Sequence, residues 1–137
     1  MDDIHDTAHD LDIRVYYEDT DLGGIVYYAN YFRFIERGRT ELLRDAGIDQ
    51  VALKDETGVV FAVRRIGAEF LAPAKMDDML RVLTRVTDLG RARITMAQQV
   101  LRGDQVLFEA DVTLACIGPG GRATRIPPRI AALMAPR

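Results

Sequence analysis

The chain has 137 residues, 48% of them hydrophobic and 28% charged, a composition typical of one globular domain. One cysteine excludes an intramolecular disulfide, and a net charge of -3 excludes a general electrostatic attraction to nucleic acid. We therefore expect a cytoplasmic protein without a nucleic acid partner.

Neither a signal peptide nor a transmembrane segment is expected. The first residues, MDDIHDTAHDLD, are acidic and polar, and the longest uncharged stretch covers the 11 residues 22–32, fewer than the roughly 20 of a membrane span. We expect one domain over residues 1–137. Residues 1–10 and the glycine-, proline- and arginine-rich residues 122–137 are expected to be loosely ordered tails.

The first half of the chain indicates a strand followed by helices. Residues 11–18 mix β-branched and aromatic residues and predict a strand. In residues 29–46, apolar residues recur at three- and four-residue steps and predict the longest helix, with one stripe formed by Tyr31, Phe34, Ile35, Gly38 and Leu42. Gly38 within this stripe predicts that another backbone packs closely against the helix. A weaker helical pattern follows at residues 49–55.

The second half predicts four antiparallel strands. Val59 and Phe61 alternate in one phase whereas Ile66 and Ala68 alternate in the other, which indicates a bulge at Arg64 and Arg65. Three later segments each have one apolar parity, and short glycine-containing breaks between them suit hairpins. These elements predict an α+β domain in which a sheet curves around the helix.

The segment DTDLGGIVYYANYFRFIERGRTELLR, which ends at Arg44, carries the most specific motif. Together with FAVRR at residues 61–65 and LAPAKMDDML at residues 71–80, it resembles the 4-hydroxybenzoyl-CoA thioesterase type of hotdog protein, in particular the Tol-Pal-associated acyl-CoA thioesterases. This resemblance implies a hotdog fold, hydrolysis of acyl-CoA to a free acid and CoA, and a homo-oligomer with active sites at the subunit interface. No metal or cofactor is implied, since CoA is part of the substrate.

Hydrolysis of a thioester needs a base or nucleophile near the carbonyl carbon and hydrogen-bond donors near its oxygen. A loop that carries Asp21 directly before a helix can provide both. The resemblance implies that Asp21 is the catalytic carboxylate. Whether it attacks the thioester or activates a water stays open, because no sequence feature separates these routes.

The start of the long helix is the predicted oxyanion site. We expect free N–H groups at Ile25, Val26, Tyr27 and Tyr28, and the resemblance singles out the one at Tyr28. Many members of the Tol-Pal-associated group have histidine where this chain has Tyr28, whereas the 4-hydroxybenzoyl-CoA enzyme has tyrosine there. This departure removes a side-chain acid–base candidate but leaves the backbone donor unaffected. Three further residues have predicted roles: close approach of the substrate at Gly23 and Gly24, and ordering of the helix start or of a water by Asn30.

The predicted contacts of the CoA phosphates are arginines, with Arg64 as the main candidate and Arg122, Arg125 and Arg129 as further ones. Tyr27 and Tyr28 are candidates for the acyl pocket, and Tyr31 is expected in the core. The acidic cluster Glu18, Asp19 and Asp21 does not have the spacing of an EF-hand, so we expect no metal.

Three alternatives compete with this interpretation. Asp21 alone, in a glycine-containing turn, is also typical of a residue that only forms the turn. A hotdog dehydratase pairs histidine with a carboxylate, but His5 and His9 are the only histidines and both fall in the predicted tail. A non-catalytic acyl-CoA-binding or scaffold protein of the cell envelope is the remaining alternative, and any link to the Tol-Pal system rests on analogy.

Overall fold

A computed structural model of the chain describes residues 8–136, which form one antiparallel sheet and three helices. The sheet has five strands in the order β1-β3-β4-β5-β2. The strands are β1 (His9–Arg14), β2 (Val60–Phe70), β3 (Met79–Leu89), β4 (Arg93–Arg102) and β5 (Gln105–Ile117). The helices are α1 (Tyr28–Asp45), α2 (Gln50–Thr57) and α3 (Pro128–Met134), and a single 3-10 turn covers Tyr17–Asp19.

Helix α1 packs its apolar stripe on the sheet. Tyr31, Phe34 and Ile35 are buried as predicted, and Leu43 is more deeply buried than Leu42. The close contact at Gly38 differs from the prediction, because side chains rather than a backbone approach it. A Cβ atom on Gly38 would lie 2.7 Å from Val82 Cγ1, 2.9 Å from Thr84 Oγ1 and 3.2 Å from Gln98 Nε2.

The strands confirm the alternation in the sequence. Val82, Ile94, Met96, Val100 and Phe108 are among the residues that form the main core. The predicted bulge in β2 is confirmed by a register shift between Val63 and Arg65 in the pairing with β5. Since β2 lies at one edge of the sheet, its second side has no strand partner among the described residues.

Both predicted tails are partly ordered. Residues 1–7 lie outside the described residues, but His9 begins β1, and its Nε2 lies 2.7 Å from Asp45 Oδ2. In the second tail, α3 forms and buries Ile130 and Met134, with Ile126 buried just ahead of it. The prediction of a loose tail was wrong there, because apolar residues four apart give a short helix a face that packs on the core.

Within the described residues, no helix has both the length and the apolar character needed to cross a membrane.

Candidate active site

Asp21 lies on a tight loop that leads into α1. The loop is closed by a backbone bridge between Thr20 and Val26 and by a hydrogen bond from the Asp21 N–H to the Ile25 carbonyl at 3.0 Å. At its tip, Gly24 has a φ of 77° and donates its N–H to the Asp21 carbonyl at 3.0 Å. A residue with a Cβ rarely adopts this backbone conformation, which explains the glycine.

The Asp21 side chain is exposed and held by its own loop. Its Oδ1 accepts a hydrogen bond from the Gly23 N–H at 2.8 Å. A Cβ on Gly23 would lie 3.1 Å from the same oxygen, so the absence of a side chain there leaves room for the carboxylate. Asp21 thus forms the turn, as the simpler interpretation requires, and also presents an exposed carboxylate on the loop that leads into α1.

Asp19 anchors this loop to α1, a role that the sequence did not reveal. Its side chain is buried, with Oδ1 accepting from Asn30 Nδ2 at 2.9 Å and Oδ2 accepting from the Tyr16 N–H at 2.8 Å. The Asp19 carbonyl also accepts the Tyr27 N–H at 2.9 Å. Asn30 therefore orders the helix start, one of its two predicted roles, with Asp19 as its partner.

The backbone at the start of α1 is only partly free. The Val26 N–H donates to the Ala74 carbonyl at 2.8 Å and the Tyr27 N–H donates to Asp19, so the prediction of free donors was wrong for these two residues. Val26 is also buried in the core. Tyr28 is the first residue of α1, and its N–H donates to no backbone acceptor among the described residues. It remains the candidate oxyanion donor.

Aromatic side chains cluster around the Tyr28 ring. Tyr28 is exposed, and its ring centroid lies 4.6 Å from that of Tyr27 and 6.4 Å from that of Phe70 at the end of β2. Phe70 is half exposed and was not a predicted site residue. Behind them, Tyr31 is buried and stacks on Phe108 at 5.1 Å, which agrees with its predicted place in the core.

The environment raises the pKa of two tyrosines in this region. Burial raises the pKa of Tyr31, whose hydroxyl accepts the Ala74 N–H at 3.0 Å. The neighbouring Tyr28 phenol raises the pKa of Tyr27, first by hydrogen bonding and then by charge. Tyr27 and Tyr31 are therefore neutral at physiological pH, and neither is suited to act as a base.

Arg64 lies near the middle of β2, at the bulge. It lines a groove of about 280 Å³ with Arg91 and Arg93 from the hairpin between β3 and β4. Arg125, another predicted contact, lines an adjoining groove with Arg91, whereas Arg122 and Arg129 are exposed. Arg91 and Arg93 were not predicted, because arginines in a hairpin look like ordinary solvated charge until the strands bring them beside Arg64.

Five antiparallel strands with one long helix packed on them form the hotdog fold, so the predicted fold is confirmed. The family model described as the thioesterase-like superfamily matches residues 15–134, and the chain belongs to this family. The chain is 44% identical over 108 residues to the acyl-CoA thioester hydrolase YbgC of Escherichia coli O6:H1, covering 78% of this chain and 80% of that protein.

Two further similar proteins are also described as thioesterases. The acyl-CoA thioesterase YbgC of Haemophilus influenzae is 40% identical over 115 residues, which are 84% of this chain and 85% of that protein. The crystal structure of a probable thioesterase from Bartonella henselae superimposes with a TM-score of 0.85 at 40% identity, covering 88% of this chain and all of that one. The predicted family resemblance is confirmed.

Proposed function

We propose that this protein hydrolyses acyl-CoA thioesters to a free acid and CoA, with Asp21 as the catalytic carboxylate. The activity class is supported by the relatives that are 40% and 44% identical over most of the chain and carry that activity in their names. The observation that supports the site is the loop geometry. The Asp21 carboxylate is exposed on the loop that leads into α1, and the N–H of Tyr28, the first residue of α1, donates to no backbone acceptor among the described residues.

The chemistry needs a base or nucleophile on one side of the thioester carbonyl and a donor on the other. The carbonyl oxygen accepts the Tyr28 N–H, where the partial positive charge of the helix start stabilises the developing oxyanion. Asp21 then takes a proton from water as the water oxygen bonds to the carbonyl carbon, or bonds to that carbon itself and forms an anhydride that water hydrolyses. In both routes the carbon–sulfur bond breaks and CoA leaves as its thiolate.

A second copy of the chain completes the site in this proposal. Asp21 is open to solvent in the single chain, and Leu22 beside it is fully exposed. Along β2, whose free edge can pair with another strand, Val63 and Phe70 are about half exposed. Two β2 strands that pair antiparallel around a two-fold axis place the Phe70 end of one copy beside the Val60 end of the other.

This pairing also provides a candidate binding site for the CoA phosphates. The groove with Arg64, Arg91 and Arg93 lies at the Val60 end of the sheet, far from Asp21 of its own chain. Antiparallel pairing brings the groove of one copy towards Asp21 of the other. Arginine side chains bind phosphate oxygens through paired N–H groups, so this groove is the candidate nucleotide site.

The test is release of thiol from a panel of acyl-CoAs by wild type, Asp21→Asn and Asp49→Asn. Asparagine keeps the side-chain oxygen that accepts the Gly23 N–H, so Asp21→Asn removes charge while the loop stays formed. Asp49 is the matched control, because it is exposed and its Oδ1 accepts the Ala52 N–H at 3.0 Å in a comparable local contact. We expect loss of activity in Asp21→Asn alone.

Two outcomes contradict the proposal. Equal turnover by wild type and Asp21→Asn removes Asp21 from the mechanism. Binding of acyl-CoA without release of thiol by wild type favours the non-catalytic alternative.

A cytoplasmic location, which the single cysteine supports, is part of the same proposal.

A further inference from the structure

The loop between β2 and β3 supports the backbone that leads to Tyr28. Ala74 in this loop is fully buried, and its carbonyl accepts the Val26 N–H at 2.8 Å. Its own N–H donates to the Tyr31 hydroxyl at 3.0 Å. Val26 comes two residues before Tyr28, so Ala74 helps to position the backbone that leads to the candidate oxyanion donor.

An ion pair holds this loop on both sides of Ala74. Asp78 Oδ2 accepts the Lys75 N–H at 2.8 Å and a hydrogen bond from an Arg102 terminal nitrogen at 2.7 Å. The same Arg102 nitrogen donates to the Pro73 carbonyl at 3.3 Å. Arg102 at the end of β4 therefore binds one group before Ala74 and one group after it.

The pair is partly shielded from solvent, with the Arg102 side chain 34% exposed and that of Asp78 22% exposed. Burial alone acts to raise the pKa of Asp78, but the hydrogen bonds from Arg102 and from the Lys75 N–H outweigh it and hold the pKa below its usual value. Asp78 is therefore ionised at neutral pH. Hydrogen bonds to an ionised group are stronger than those between neutral groups, so the loop is firmly held.

We propose that Asp78 and Arg102 are positioning residues that fix Ala74, and through Val26 the Tyr28 N–H, relative to the Asp21 carboxylate. The inference rests on the proposed function. Both residues act through the backbone and stay clear of the substrate. An oxyanion donor works only within a narrow range of distances, and a displacement of about 1 Å costs on the order of 100-fold in rate.

The variants Asp78→Asn and Arg102→Lys separate charge from shape. Asparagine keeps an acceptor for the Lys75 N–H but carries no charge, and lysine keeps the charge but lacks the planar donor group. We expect kcat to fall about tenfold in Asp78→Asn, with KM within about twofold, because oxyanion contacts form in the transition state. Arg102→Lys should retain more activity than Arg102→Met.

The Arg81–Asp10 pair is the matched control. It has the same distance of 2.7 Å between nitrogen and oxygen, and it links β3 to β1. Neither side chain makes a hydrogen bond to the loop among the described residues. Arg81→Met should leave kcat unchanged. Hydrogen exchange at the Val26 amide gives a readout that does not depend on activity. It should become at least about tenfold faster in Asp78→Asn and stay constant in Arg81→Met.

Several results overturn the inference. One is a kcat of Asp78→Asn within about twofold of wild type, and another is an equal loss of kcat in Arg81→Met. The third is a lower kcat in Asp78→Asn without faster hydrogen exchange at the Val26 amide. If Asp78→Asn does not fold, Arg102→Met carries the same test, with Arg102→Lys as its conservative comparison. Failure of the proposed function looks different: wild type itself then releases no thiol, and any change in Val26 exchange shows a structural role of Asp78 alone.

Discussion

The side-chain amide of Asn30 donates a hydrogen bond to Asp19 Oδ1 at 2.9 Å, and both residues are buried. This contact joins the first turn of α1 to the segment directly before Asp21. Asp19 also binds the Tyr27 N–H through its carbonyl, so one aspartate holds the loop and the helix start together. The loop that carries the exposed Asp21 carboxylate is thus held to α1 by buried hydrogen bonds.

Asn30→Ala should weaken the attachment of this loop to α1. The substitution leaves Asp19 Oδ1 buried without its donor, which we expect to lower the free energy of unfolding by about 1 to 3 kcal/mol. Urea unfolding measures the loss, and kcat for an acyl-CoA should fall with it. Gln50→Ala, at an exposed amide that begins α2, serves as the control, with a change of about 0.5 kcal/mol or less. Equal stability of wild type and Asn30→Ala would contradict the role of this hydrogen bond.

Gly38→Ala should destabilise the protein even though alanine favours a helix by about 1 kcal/mol. The new methyl would lie 2.7 Å from Val82 Cγ1, and overpacking of this kind costs about 1 to 3 kcal/mol. The expected net loss is up to about 2 kcal/mol by urea unfolding. Gly120→Ala is the control, because a Cβ there meets no atom within 4 Å.

A cycle with Val82→Ala identifies the cause. If the contact with Val82 is responsible, Gly38→Ala should be better tolerated in the Val82→Ala background than in wild type. A gain in stability from Gly38→Ala alone would show that the sheet can move away from the helix.

The sequence predicted the parts of the fold that repeat along the chain. The stripe that includes Phe34 and Ile35 fixed α1 to within one residue at each end, and the change of phase in β2 located its bulge. Helix α3 escaped prediction because its seven residues follow a glycine- and proline-rich stretch. Its signal was present in the four-residue spacing of Ile126, Ile130 and Met134 and in a proline at its first turn.

The candidate site was predictable only where one short motif contains its residues. Asp21, Tyr28 and Asn30 lie within ten residues of sequence, so a local pattern identifies them. Asp78 and Arg102 are 24 residues apart and meet because the turn before β3 faces the end of β4. No local pattern reports such a pair, and the same holds for Arg64 with Arg91.

Cys116 should be unreactive in the folded protein. It is fully buried, and burial raises the pKa of its thiol above the usual value, so little thiolate exists at neutral pH. We expect a thiol reagent to label no cysteine in native protein and one cysteine per chain in urea. The result also matters for the thiol-release assay, which Cys116 should not disturb. Rapid labelling of native protein would show that β5 opens readily.

The ion pair of Asp78 with Arg102 should make stability depend on pH in acid. The folded pKa of Asp78 lies below its usual value of 3.8, so ionised Asp78 stabilises the fold at every pH above the unfolded value. This contribution disappears as the pH falls from about 4 through the folded pKa. Urea midpoints of wild type and Asp78→Asn should therefore differ most near neutral pH and converge in acid.

Arg102→Met should show the same convergence, because protonation of Asp78 breaks the same pair. A difference that stays constant down to a pH of about 2.5 would mean that the ionised pair does not stabilise the loop.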